Sequence, residues 1–170
     1  MKPRIYLIIL LLIIPIQASL FSPLSLAGIK PDLALAVIYI IGLLTGPGEA
    51  ALAGIGIGLV QDIGSASFIG LNGFTRGLIG LFAGLFGQRV LDISSPSNFI
   101  LLAAFSLAEG LFVALFMQAF YGYVPIFSMF FASMLPQALY TGVLGILLLR
   151  FISNRNVLST LRRHAFQKEL

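Results

Sequence analysis

Apolar runs alternate with short polar breaks along this chain, and the runs recur at the length of bilayer-crossing helices. Such a helix needs about 20 apolar residues, about 17 at the short end. By that rule the pattern predicts six spans: Ile5 to Phe21, Leu33 to Thr45, Glu49 to Ile63, Gly73 to Val90, Asn98 to Phe120, and Pro125 to Ile152. The second and third are short, and the turn between them, Gly46-Pro47-Gly48, disfavours helix. Two thin or tilted spans is the preferred reading; a re-entrant hairpin buried in protein is the other. The first run also has signal-peptide features, a charged MKPR start and an apolar IYLIILLL core. Ile16 stands where a cleavage site wants a small residue, so a retained anchor is expected.

Composition narrows the class. Of 170 residues, 59% are hydrophobic and 9% charged, with a mean hydropathy of +1.05. A soluble domain is about a quarter charged, so this chain cannot cover a water-facing surface of ordinary size. The expected fold is an all-α integral membrane protein with six transmembrane helices. There is no cysteine, and the single histidine, His164, sits near the tail. Disulfides and thiolate chemistry are excluded, a zinc or iron site is disfavoured, and no cofactor is expected.

The net charge of +4 lies mostly at the ends, which points to membrane orientation and not to nucleic acid. With both termini in the cytoplasm, Lys2, Arg4, Arg89, Arg150, Arg155, Arg162, Arg163 and Lys168 fall inside. Lys30 and Arg76 are left on the outer half. The expected organisation is a six-helix transmembrane domain over 1–152 and a basic, imperfectly amphipathic cytoplasmic tail over 153–170. That tail is expected on the lipids of the inner leaflet; a cytoplasmic protein is the alternative contact.

Glycine is placed with a period. On the third span Ala50, Ala51, Gly54, Gly58, Gln61 and Asp62 gather on one helical face, opposite Leu52, Ile55, Leu59, Val60 and Ile63. On the fourth, Gly73, Gly77, Gly80, Gly84 and Gly87 stay within about 80° of arc. Bilayer helices associate by packing, and small residues at these intervals let their backbones approach. The stripes are therefore expected to seat a helix, either within the chain or from a partner. No Gly-x-x-x-x-Gly-Lys-Ser/Thr motif is present, so a phosphate loop has almost no support.

Ionisable groups inside a span are costly, and each is a functional candidate. Asp62 and Arg76 flank the loop GSASFIGLN and are expected to pair; separate snorkelling to the headgroups is the alternative. Glu109 lies near the middle of the fifth span, with Ser106 a turn away and Gln137 at similar depth on the sixth. It is expected to be protonated or hydrogen-bonded there. Inter-helix glue is slightly preferred over the floor of a small polar cavity. Pro15 and Pro136 are expected to bend their helices. Tyr6, Tyr121 and Tyr123 fall at interfaces, whereas Tyr39 and Tyr140 lie deeper with hydroxyls needing acceptors.

The run from Lys30 to Arg89 resembles the rod shape-determining MreD family. The pieces are Pro31-Asp32, the Gly46-Pro47 turn, Gly54-x-x-x-Gly58-Leu59-x-x-Asp62, and Gly70-Leu71-Asn72. Phe68 is a departure, since relatives often carry proline there. The resemblance implies a bacterial inner-membrane component of lateral wall elongation. It implies association with MreC and, through it, with MreB, RodA and its transpeptidase. It also implies a six-helix fold similar to the substrate-binding subunits of energy-coupling-factor vitamin transporters. By position it marks Pro31, Asp32, Gly54, Gly58, Asp62 and Gly70.

A non-enzymatic membrane scaffold fits the absence of a nucleophile–base constellation. The rival is a vitamin-type binding subunit, which would need converging polar groups such as Glu109, Gln137, Arg76 and Asn72 around an outward cavity. A secondary transporter would show two matching halves with interrupted helices; no such repeat is visible.

Overall fold

The computed structural model describes residues 28–65, 68–89 and 95–153. The predicted first span and, from residue 154, the basic tail lie outside the described residues. The rest is all-helical, with no strand among the described residues. In chain order the elements are α1 (Leu33–Thr45), α2 (Pro47–Ser65), α3 (Leu71–Arg89) and α4 (Ser97–Tyr121). A short α5 (Ile126–Met129), a π-helical turn (Phe130–Met134) and α6 (Leu135–Ser153) follow as one rod.

Local chemistry sets the boundaries. Asp32 caps α1, its Oδ1 accepting from the Leu35 amide at 2.9 Å; this satisfies an N–H that has no carbonyl partner within the helix. Gly46 ends α1 with φ +97, a conformation that L side chains rarely adopt. Pro47 then opens α2 two residues before the expected Glu49. A proline is well placed in a first turn, where its missing N–H costs nothing and its φ is already helical. The π-helical turn lies just ahead of Pro136, with the Leu135 amide donating to the Phe130 carbonyl. A proline cannot donate to the carbonyl four residues back, and a wider turn upstream accommodates the mismatch.

Packing divides the helices into two groups. Helix α3 lies along α2 over much of its length and also against α1, whereas α4 packs chiefly on α6. The groups meet through α1 and α6, while α3 and α4 make little direct contact. Helix α1 has an apolar body and is buried along nearly its whole length. Its Leu35, Ala36, Tyr39 and Ile40 pack with Ile79 and Ala83 of α3, Leu102 of α4 and Leu149 of α6.

Among the described residues, two helices are long and apolar enough to cross a membrane: Ser97–Tyr121 and the rod Ile126–Ile152. Helix α1, at 13 residues, is about 20 Å long and falls short of a hydrocarbon core of about 30 Å. Helices α2 and α3 have 19 residues each but are diluted by glycine and polar side chains. Large apolar side chains point outward on every long helix around α1, among them Leu52, Ile63, Phe74, Phe82, Leu115, Leu147 and Phe151. In water such a surface would aggregate; in lipid tails it is solvated.

Candidate functional site

Three connected features occupy the interior, beginning with the seam between α2 and α3. A side chain at Gly54 would collide with the Arg76 carbonyl, one at Gly58 with the Asn72 carbonyl, and one at Gly80 with the Ala50 carbonyl. A side chain at Gly84 would meet the backbone of Pro47, and a Cβ at Gly42 would lie 2.8 Å from the Ala83 Cβ. These contacts are main chain against main chain, as small residues in membrane helices permit. Gly73 and Gly77 differ, because side chains of Leu59 and Ile55 fill the space above them. Gly87 faces Leu43 of α1.

The second pair, α4 and α6, uses glycine differently. Phe99 and Leu102 of α4 press into hollows at Gly142 and Gly145. No hydropathy pattern distinguishes those two glycines from ordinary ones, so the sequence alone does not mark them.

The seam ends at Asp62, which is fully buried. One carboxylate oxygen accepts from the Gly70 amide at 2.8 Å and the Gly73 amide at 3.3 Å. The other accepts from Asn72 twice, through its side-chain amide at 2.7 Å and its backbone amide at 3.2 Å. Gly70, at φ +103, turns the chain so that these donors converge. Asp62 thus closes the loop and satisfies orphan N–H groups at the start of α3, where the helix dipole also favours negative charge. Replacing it with alanine should cost about 1–3 kcal/mol by stranding buried donors; a lowered unfolding midpoint in detergent, with Asp62→Asn partly retaining it, is the expected measurement.

The expected pairing of Asp62 with Arg76 is corrected by this arrangement. Arg76 forms its ion pairs with Asp32 and Glu109 instead. Its Nη2 reaches Asp32 Oδ2 at 2.5 Å and its Nε reaches Glu109 Oε1 at 2.9 Å. The three side chains are only 7%, 10% and 9% exposed, in the order Arg76, Asp32, Glu109. The physical reason is competition: Asp62 lies nearer the unpaired amides that open α3, while Arg76, a turn further along, faces α1 and α4. Arg76 Nη1 is buried with no acceptor, at a desolvation cost of about 1–3 kcal/mol.

Asp32 gathers three helices. One oxygen caps α1, the other holds Arg76 of α3, and its backbone N–H donates to Thr141 Oγ1 of α6 at 3.0 Å. Pro31 beside it is fully buried. Deeper in the bundle, the Tyr39 hydroxyl donates to Asn98 Oδ1 at 2.8 Å, joining α1 to α4. Glu109 turns to Arg76, and Gln137 lies half-buried on α6. Ser106 is buried on α4.

Asp32, Arg76 and Glu109 stand out one by one in the sequence, whereas their union into one chain of charge is visible only in the fold. A signal was present: Asp32 and Arg76 both begin helices expected to start from the same side of the membrane. Phe68, in the loop before α3, meets Phe116 at 5.5 Å and Tyr121 at 5.4 Å between ring centres, both edge to face. This aromatic contact ties that loop to the end of α4.

Taken together, the lipid-compatible exterior, the glycine seam and the internal charge pairing define a helical membrane protein. The family model for rod shape-determining protein MreD matches residues 3–154, and the chain belongs to that family. No curated protein matches it, and no solved structure does.

Proposed function

We propose that this protein is a non-enzymatic scaffold and regulator of the cell-wall elongation machinery, acting with MreC in the bacterial inner membrane to maintain rod shape. Family membership supports the setting. The observation that carries the scaffold role is the use made of the intramembrane charges. Arg76 is bonded to Asp32 and Glu109, and Asp62 to the loop backbone. Those groups hold helices to one another and are not aimed at a substrate.

In this reading the chain crosses the membrane six times with both termini in the cytoplasm, resembles the vitamin-transporter subunits in fold, and reaches MreB, RodA and the transpeptidase directly or through MreC. Gly54, Gly58, Gly73, Gly77, Gly80 and Gly84 act as packing positions. Their seam is filled from within the chain, so the MreC anchor meets the bundle on another face.

A vitamin-type binder has less support. Of the polar groups it would need, Arg76 and Glu109 bond each other and Asn72 bonds Asp62. The groove between α1 and α6 is lined by Val37, Ile40, Ile41, Leu44, Leu148, Ile152 and Thr45. Even there, the Thr45 hydroxyl donates back to the Ile41 carbonyl at 2.8 Å. Co-expression with MreC in mild detergent is the test: the two should co-purify. Failure to do so, together with retention of a vitamin, would overturn the scaffold.

A further inference from the structure

The geometry points to Arg76 and Glu109 as a latch across the thinly packed α3–α4 seam, whose release lets α4 swing away from α3 about the contacts that keep α4 and α6 on α1, the Tyr39–Asn98 and Asp32–Thr141 hydrogen bonds. The idea stands apart from the identity of any partner. Helices α3 and α4 make little backbone contact. Between them the ion pair is flanked on either side by a single tilted ring contact, Phe74 to Phe112 at 6.0 Å and Phe86 to Phe105 at 6.4 Å. The α2–α3 seam is the opposite case, with main chains touching at Gly54, Gly58 and Gly80. Movement is therefore directed to the α3–α4 side.

Two details make the pair a latch and not a rivet. Asp32 holds Arg76 from α1 independently of Glu109, so the guanidinium stays partnered when the α4 arm lets go. The closed arrangement also leaves Nη1 without an acceptor, and an unsatisfied buried donor narrows the energy gap to alternative arrangements. A packed interface with two discrete states, biased by one charged contact, is how small local changes become movements of whole helices.

The chain contains no cysteine, so paired spin labels can be introduced without a background. Labels at L78C and A108C would read the distance from α3 to α4, and labels at L52C and L78C the distance from α2 to α3. In the full chain, reconstituted in lipid, E109Q should broaden the α3–α4 distribution and add a longer component while leaving α2–α3 unchanged. An unchanged α3–α4 distribution would overturn the latch, as would both distances changing together. If E109Q does not fold, E109D decides: its shorter reach should produce a smaller lengthening of the same distance, and none would refute the idea.

Discussion

Leucine at Gly54 is expected to abolish the folded bundle, whereas alanine at Gly48 should be tolerated. Any side chain at Gly54 runs into the Arg76 carbonyl, which cannot move without displacing α3. Overpacking in a filled core typically costs about 1–3 kcal/mol, occasionally more. A leucine against backbone belongs at or above the upper end, because no rotamer can relieve it. Gly48 has no atom within 4 Å of a would-be Cβ, and alanine there reduces the freedom of the unfolded chain, worth at most about 1 kcal/mol. The remaining glycines form a graded series. Gly58, Gly80 and Gly84 oppose main chain and should behave like Gly54, while Gly77 opposes the Ile55 side chain and should tolerate alanine better. Thermal unfolding in detergent, followed by the fraction remaining monodisperse, would rank them. A flat series would remove the packing argument.

Alanine at Arg76 should be nearly as damaging, for an electrostatic reason. It would leave the carboxylates of Asp32 and Glu109 buried without their shared counter-charge. Breaking a buried pair by removing one partner costs about 3–5 kcal/mol. The informative experiment is the compensated variant. Converting all three residues together to uncharged partners of similar volume (R76M with D32N and E109Q) should recover most of the lost stability. Asparagine keeps a side-chain oxygen that can cap α1. The single variant should therefore unfold at a lower temperature than the triple. The reverse order would mean that the ion chain is not what holds the helices.

These expectations come from different depths of legibility. Helix α1 runs from Leu33 to Thr45, which are the limits read from the sequence, because an aspartate cap and a Gly-Pro break announce themselves locally. Helices α2 and α3 were visible in outline through the spacing of their glycines. The wiring of the charges was not. Which neighbour Arg76 faces depends on α3 lying between α1, α2 and α4, and helix order around a bundle leaves no trace in hydropathy. Asp62 was matched to Arg76 because a short loop joins their helices. Three backbone amides and a side-chain amide closer to Asp62 claim it first. The π-helical turn was unread for a related reason: Pro136 marks a place where helix geometry must change but does not say how.

Asp32 lies 44 positions ahead of Arg76, and Arg76 lies 33 ahead of Glu109. A ribosome therefore delivers the acid first, its base next and the second acid last. While the chain is being made, the earliest of these charges has no counterpart and must shelter in the insertion machinery or at the headgroups until later helices arrive. Biogenesis of this bundle is thus tied to completion of α3, which brings the base to the first acid; a nascent chain stalled before it would carry an uncompensated carboxylate at the membrane.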